Sequence, residues 1–218
     1  MAKKTLKRKA LFITFEGGER TGKSTHIKFL AKLLRKRGLS VKRFREPGST
    51  KLSEQIRKVL LYSKRGIAPE TELFLYCAAR AQFVKEELFK ALKKYKVVIC
   101  DRFSDSTLVY QGYALGLGIK KISTVVKLAC QGIKPDLTFV LDVAPKKALL
   151  RIKRKKDRIE RRPLKFHEAL RKGYRVLAKK EPKRIKIIKA DGDKARTHKQ
   201  IAEVVNLKIK PCRKKICQ

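Results

Sequence analysis

The sequence contains no hydrophobic run long enough to cross a membrane. A spanning helix needs about 20 apolar residues. The apolar run that follows the basic N-terminus covers only residues 11–15, and Glu16 and Glu19 come directly after it. This run is also too short for the core of a secretory signal peptide. These absences predict a soluble, cytoplasmic protein without a membrane partner.

Acidic residues are scarce. The 218-residue chain has 19 of them against 59 lysines and arginines, so its formal net charge is +40. Such a charge attracts polyanions, and a nucleic-acid-binding protein is therefore the alternative function of a different class. The basic residues are spread over nearly every exposed helix position, however, without interleaved aromatic residues or a groove-reading motif. We predict only weak, non-specific binding of nucleic acid.

A complete set of zinc ligands is also missing. Three of the five cysteines, Cys77, Cys100 and Cys130, lie in apolar segments, where buried free thiols of a reducing compartment are expected. Cys212 and Cys217 lie in a basic tail, residues 209–218, and lack the two further ligands that a zinc site needs. Residues 1–9 form a second basic tail.

No repeat and no linker rich in Gly, Ser or Pro divides the chain, so we predict one domain over residues 1–218. Short apolar segments predict strands at residues 11–15, 40–44, 97–100, 137–143 and 185–189. Helical patterns lie near residues 24–37, 50–61, 71–95, 104–117, 119–130, 145–155, 163–179 and 194–207. This alternation predicts an α/β fold, with a five-stranded parallel sheet covered by helices on both faces.

A phosphate-binding motif lies between the first strand and the first helix. The pattern G-x-x-x-x-G-K-[ST] runs without a gap from Gly17 to Ser24. Backbone N–H groups of such a loop close around a polyphosphate, and the helix N-terminus adds partial positive charge. Lys23 would reach the β- and γ-phosphates, and the Ser24 hydroxyl would bind Mg²⁺. The predicted triphosphate-binding residues are Gly17, Gly18, Glu19, Arg20, Thr21, Gly22, Lys23, Ser24 and Thr25.

Several charged residues would define the reaction. Asp101 ends a buried strand, where a carboxylate can hold Mg²⁺ or its waters, although an Asp there can instead cap a helix. Arg80 lies in an apolar helical stretch and needs a partner, which a salt bridge to a distant acid could also supply. If Arg45, Arg80 and Arg102 converge, the site can hold a second anionic substrate that faces the triphosphate, as a nucleotide kinase requires.

Residues 151–165 break the pattern, because they include nine basic residues and only two acids. Few apolar residues are available to hold this segment, so we predict a mobile basic lid over the triphosphate. The alternative is a solvated helix face.

Together these motifs resemble the thymidylate kinase family over almost the whole chain. They are FEGGERTGKST at residues 15–25, REPGST at 45–50, AARAQ at 78–82, DRFSDSTLVYQG at 101–112 and DRIE at 157–160. The resemblance implies a three-layer P-loop NTPase fold with a small basic lid. It also implies transfer of the γ-phosphoryl group of ATP to dTMP, with Mg²⁺, by a homodimer.

The resemblance implies roles for individual residues. Glu19 would face the deoxyribose 3′-hydroxyl, Tyr76 would stack on thymine, and Arg45 would contact the dTMP phosphate. Ser24 and Asp101 would serve Mg²⁺, and Lys23, Asp101 and Arg102 would act in phosphoryl transfer. The remaining implied substrate contacts are Pro47, Arg80, Ser106, Tyr110 and Gln111.

Three positions depart from the family pattern. Arg20 occupies a P-loop position that is Gly in many members, so either Arg20 or a lid arginine, Arg154 or Arg158, would supply transition-state charge. Ser49 stands where Gly is common, and a small polar residue fits there if φ is negative. The lid also lacks the Gly that is often found in it.

Overall fold

A sheet of five parallel strands lies at the centre of the fold. The computed structural model describes residues 10–209. The strands are β1 (Leu11–Glu16), β2 (Val41–Arg45), β3 (Val97–Asp101), β4 (Leu137–Asp142) and β5 (Ile185–Lys189). They lie in the order β2-β3-β1-β4-β5, and every neighbouring pair is parallel. The predicted five-stranded parallel sheet is confirmed, with each strand boundary within one residue.

Helices connect the strands. They are α1 (Lys23–Lys36), α2 (Lys51–Tyr62), α3 (Pro69–Phe83), α4 (Phe89–Lys94), α5 (Ser104–Thr107), α6 (Ile119–Ala129), α7 (Pro145–Leu149), α8 (Leu164–Lys180) and α9 (Lys194–Asn206). Two π-helical segments, Val84–Leu88 and Leu108–Ala114, continue α3 and α5. The predicted helices at 71–95 and 104–117 are therefore not regular α-helices throughout.

The side chains of β1 show why helices cover both faces of the sheet. Phe12 points to one face and packs edge-on against Phe103, with ring centroids 5.2 Å apart. Ile13 and Phe15 point to the other face, where Phe15 packs against Phe139. All of these side chains are fully buried. Because successive strand residues point to opposite faces, burial of both sets requires three layers.

The segment between α7 and α8 differs from the prediction. The helix predicted to reach residue 155 ends at Leu149, because Leu150 is 78% exposed and no apolar face continues beyond it. Turns follow, and Ile159 and Glu160 are both only 3% exposed. One of the few apolar residues of the lid, Ile159, is thus packed in the core and holds the second half of the lid.

The condition of a negative φ at Ser49 is not met, since its φ is +72°. The Ser49 hydroxyl accepts a hydrogen bond from the Arg45 backbone N–H and donates to the Arg45 carbonyl, and the Ser49 N–H donates to Glu54. Three local hydrogen bonds therefore hold a left-handed conformation that serine rarely adopts.

The cysteine prediction is confirmed where the structure describes it. Cys77, Cys100 and Cys130 are buried free thiols. Cys212 and Cys217 lie outside the described residues. Within residues 10–209, no helix combines the length and the apolar character that a membrane span requires.

Candidate functional site

The site lies at the carboxyl edge of the sheet. In the strand register, Asp101 of β3 lies opposite both Phe15 of β1 and Arg45 of β2. The loop that follows β1 therefore lies beside Asp101, as expected for an open parallel sheet. Two adjoining cavities open there, a larger one of about 1600 Å³ and a smaller one of about 480 Å³. Both are lined by Glu19, Glu46, Arg57, Arg102 and Asp157.

The phosphate-binding loop depends on glycine at two positions. Gly17 has a φ of +131°, and a Cβ atom there would lie 2.7 Å from the carbonyl oxygen of Leu141. Gly22 has a φ of +92° and precedes the first residue of α1. The loop can therefore approach β4 closely and turn directly into the helix, which directs the N-terminus of α1 at the larger cavity.

Lys23 lies in the wall of the larger cavity and is 8% exposed. Its Nζ donates to the carbonyl oxygens of Gly18 at 2.7 Å and Gly17 at 3.3 Å. Burial and the nearby charge of Arg102 lower its pKa from 10.5 to about 8, against the opposing effect of Glu19. Lys23 is thus mainly protonated at neutral pH and remains able to neutralise phosphate charge.

Ser24 and Asp101 form the candidate Mg²⁺ site. The Ser24 hydroxyl donates to Asp101 Oδ2 at 3.0 Å, and both residues line the larger cavity. The nearby α5 has no side-chain cap, so the helix-cap alternative for Asp101 is wrong. Residues 10–209 contain no cluster of three His, Cys, Asp or Glu ligands. A hydroxyl and a carboxylate fit Mg²⁺, which takes few protein oxygens and keeps water and phosphate ligands.

Arg102 and Glu19 lie where the two cavities meet. Arg102 donates to Glu19 Oε1 at 2.7 Å and to the Gly17 carbonyl at 2.8 Å. The Tyr110 hydroxyl donates to the same Glu19 oxygen at 2.7 Å. Burial alone would raise the pKa of Glu19, but Arg102 and Lys23 lower it to about 2. A carboxylate that is ionised at neutral pH therefore holds Arg102 between the cavities.

The smaller cavity combines aromatic rings with a few polar side chains. Its walls include the apolar ring of Pro47 and aromatic, hydroxyl and amide groups from Tyr76, Ser106, Tyr110 and Gln111. The Glu46–Pro47 peptide bond is cis. Flat apolar surface with a few directed polar groups is typical of pockets that orient a small ligand.

The three arginines expected to converge do not all do so. Arg45 lines the larger cavity and pairs with Glu54 at 2.8 Å. Arg80 is 2% exposed and lines neither cavity. Its guanidinium donates to Glu46 at 2.7 Å, to Thr107 at 2.8 Å and to the Phe103 carbonyl at 3.0 Å. The buried salt bridge, the alternative from the sequence, describes Arg80 better than a direct substrate contact.

Arg57 is a cavity residue that the sequence reasoning missed. It lines both cavities, and its Nη1 donates to the Pro47 carbonyl at 3.0 Å. The helical period contained the signal, because Arg57 follows buried Ser53 by four residues and precedes buried Leu60 by three. These spacings place all three on the inward face of α2.

Two arginines from different segments share one lid carboxylate. Arg20 of the P-loop lies 3.3 Å from Glu160, and Arg154 lies 3.0 Å from the same carboxylate. Both arginines line the larger cavity. Arg151, which the sequence reasoning did not single out, also lines this cavity and donates to the Arg20 carbonyl at 3.2 Å. Arg20 and Arg154 therefore contact the same carboxylate at the larger cavity.

Arg158, the other lid candidate, does not line either cavity. It donates to buried Glu72 at 2.5 Å and to the Leu60 carbonyl at 2.6 Å. The expectation that Arg158 faces the phosphates is corrected, because a buried acid at the base of α3 holds it instead.

Glu16, which the sequence reasoning also missed, forms hydrogen bonds that stabilise the site. This fully buried carboxylate accepts from the Phe103 backbone N–H, the Ser106 hydroxyl and the Tyr174 hydroxyl. Burial, with the nearby charge of Asp105, raises its pKa from 4.5 to about 7. These bonds fix the backbone directly after Arg102.

Known proteins are similar to this chain in sequence and in fold. A family model described as thymidylate kinase matches residues 15–201. A thymidylate kinase of Thermoanaerobacter sp. (strain X514) is 45% identical over 198 residues, which cover 90% of this chain and 98% of that protein. One from Caldanaerobacter subterraneus subsp. tengcongensis is 41% identical, with 91% and 96% covered. The crystal structure of thymidylate kinase from Ehrlichia chaffeensis superposes with a TM-score of 0.74 at 32% identity, covering 90% of this chain and 98% of that one.

Proposed function

This chain belongs to the thymidylate kinase family, and from that membership we propose that it transfers the γ-phosphoryl group of ATP to dTMP, giving dTDP. The observation that supports the proposal most is that Arg102 and Glu19 line both the larger cavity, beside the loop of the phosphate-binding motif, and the smaller cavity. An arginine at that position can contact the donor γ-phosphate and the acceptor phosphate together.

The larger cavity would hold the ATP phosphates. Backbone N–H groups of the loop and the Lys23 ammonium would neutralise the β- and γ-phosphates. Mg²⁺, held by Ser24 and Asp101 together with phosphate oxygens, would add positive charge that stabilises the transferring group. The separation of Lys23 from solvent strengthens its interaction with phosphate.

The smaller cavity would hold dTMP. Tyr76 offers a ring on which thymine stacks, and Gln111 offers an amide to the base edge. Glu19 would accept a hydrogen bond from the 3′-hydroxyl of the sugar. Arg45 and Arg57 line the larger cavity, where their charges would bind the acceptor phosphate.

The reaction needs no strong general base, because the attacking group of dTMP is already a phosphate oxyanion. Catalysis rests on alignment of the two phosphates and on neutralisation of the charge that spreads over the transferring group. Arg20 and Arg154, held by Glu160, would supply part of that neutralisation. Closure of residues 151–165 would also keep water from acting as the acceptor.

We further propose that the protein is a single-domain homodimer in the cytoplasm. Leu52 and Val59 of α2 and Phe74 of the neighbouring α3 are about half exposed, and this apolar surface supports an interface. Sedimentation equilibrium tests whether the protein is a dimer.

The charge of +40 supports weak binding of nucleic acid, which salt near about 150 mM should largely abolish. A salt titration of DNA binding tests this point.

A coupled ADP-release assay tests the proposed activity. The panel contains ATP and Mg²⁺ with dTMP, dUMP, dCMP, thymidine or no acceptor. We expect preference for dTMP and no turnover with thymidine, since the arginines near the cavity junction require a phosphorylated acceptor. Activity mainly on thymidine, or equal turnover without an acceptor, would contradict the proposal.

A further inference from the structure

Glu72, on the inner side of α3, has no accessible surface and joins two parts of the molecule. Its Oε1 accepts a hydrogen bond from Gln111 Nε2 at 2.8 Å. Its Oε2 accepts from Arg158 at 2.5 Å and from Arg162 at 2.8 Å. One buried carboxylate therefore contacts both a residue of the smaller cavity and the second half of the lid.

The chemistry of this cluster fixes the orientation of the Gln111 amide. Two guanidinium groups donate to one oxygen of Glu72, and a carboxylate can only accept hydrogen bonds. Gln111 must therefore turn its NH₂ group toward Glu72. Gln111 is 1% exposed and lines the smaller cavity, and within residues 10–209 no hydrogen bond engages its Oε1. The carbonyl oxygen is thus the acceptor left for a ligand.

We propose that Glu72 is a specificity-determining residue, which acts by holding Gln111 so that its carbonyl oxygen meets the base. This inference rests on the proposed function, because it assigns the smaller cavity to a nucleobase. A carbonyl acceptor pairs with the N3–H donor of thymine or uracil. Cytosine has an acceptor at N3, so two lone pairs would face each other and the base would be rejected.

Glu72 also holds the second half of the lid, through Arg158 and Arg162. Arg158 also donates to the Leu60 carbonyl at 2.6 Å, which ties the turn at residues 157–160 to the end of α2. Ile159 and Asp157 of this turn line the same cavity as Gln111. Glu72 thereby fixes the base-reading amide and the adjacent cavity wall with a single carboxylate.

The test is the selectivity of Glu72→Gln, measured as the ratio of kcat/KM for dTMP over dCMP. An amide at position 72 can donate to Gln111 Oε1, which allows the Gln111 NH₂ group to turn toward the base. We expect the ratio to fall at least about tenfold, with an increased KM for dTMP and an unchanged KM for ATP. The ratio of dTMP over dUMP should stay unchanged, because both bases carry N3–H.

Two further variants keep the test decisive. Glu72→Asp retains an acceptor-only side chain and should retain the selectivity ratio even if turnover falls. The double variant Glu72→Gln/Arg158→Gln removes the negative charge of Glu72 together with the positive charge of Arg158. It replaces the single variant in the test if the single variant does not fold. It should show the same loss of selectivity.

A purely structural role predicts a different result. Loss of folded enzyme lowers kcat/KM for all acceptors equally, so a dTMP-to-dCMP ratio within about twofold of wild type in folded Glu72→Gln would overturn the inference. Absence of dTMP turnover in the wild type would instead contradict the proposed function. Calorimetric titration of dTMP and dCMP into each variant reads the base preference without turnover and separates the two failures.

Discussion

The two cavities are built in different ways. The larger one is shaped mainly by the backbone of one continuous loop, in which Gly17 and Gly22 set the course of the chain. The smaller one is held by side-chain pairs that are distant in sequence: Arg102 and Glu19 are 83 residues apart, Gln111 and Glu72 are 39 apart, and Arg80 and Glu46 are 34 apart. The backbone of the phosphate-binding loop is therefore set locally, although Asp101 and Glu160 reach it from distant segments, whereas the acceptor side depends on tertiary contacts throughout.

This difference predicts separable effects of substitution. Changes in the loop at positions other than Glu19, which also lines the smaller cavity, should affect the transition state and leave the acceptor pocket intact. Changes in the buried pairs should alter acceptor binding and selectivity while ATP binding remains.

The largest effect is expected for Lys23→Met. This change removes the charge nearest the transferring phosphate in a partly dehydrated site, so kcat should fall about 10³-fold. The affinity for dTMP, measured by calorimetry, should stay within about twofold of wild type. Lys28→Met, an exposed position on the same helix, is the control and should retain full activity. A large loss of dTMP affinity in Lys23→Met would contradict the prediction that substitutions in the two cavities have separable effects.

Arg20→Ala and Arg154→Ala come next. Each removes one of the two guanidinium groups on Glu160, and each should lower kcat about 30-fold. The double variant should lose less than the product of the two single losses, since the pair acts as a unit. Steady-state kinetics of this cycle, with exposed Arg161→Ala as the control, provide the measurement. Strictly multiplicative losses would show that the two arginines act independently.

Glu19→Gln should produce a smaller effect on the acceptor side. It weakens the hold on Arg102 and Tyr110, so the KM for dTMP should rise about tenfold while the KM for ATP changes little. Glu203→Gln, exposed on α9, is the matched control. An increase confined to the KM for ATP would place Glu19 on the donor side instead.

Glu16→Gln should affect turnover least but should change the pH dependence of stability. Because the folded protein binds the Glu16 proton more tightly than the unfolded chain does, its contribution to stability is complete below about pH 4.5 and is lost as the pH rises through about 7. Urea unfolding at about pH 5 and about pH 8 should show a smaller pH-dependent loss in the variant than in wild type. An equal loss in both proteins would contradict the raised pKa.

The sequence was sufficient for the parts of the molecule in which periodicity or a contiguous motif carries the information. The five strands, their parallel arrangement and the position of the phosphate-binding loop followed from alternating apolar segments and the glycine spacing. Ser24 and Asp101 could be paired in advance, because parallel strands end at the same edge of the sheet.

The remaining contacts of the site are ion pairs between residues that are distant in sequence, and these depend on the folded structure. The sequence could not show that Arg80 pairs with Glu46, that Arg158 pairs with Glu72, or that Arg20 and Arg154 share Glu160. With 59 basic residues in the chain, many pairings are compatible with composition alone. The left-handed Ser49 was missed for a similar reason, since its conformation is held by a contact with Glu54 that only the folded turn creates.

The most direct test of the account is to follow the label from ATP carrying a radioactive γ-phosphate in the presence of Mg²⁺ and dTMP. The account predicts that the label appears in dTDP, in an amount equal to the ADP formed, and that thymidine and dCMP accept little. Label released as inorganic phosphate regardless of the acceptor, or transferred equally to dCMP, would contradict it.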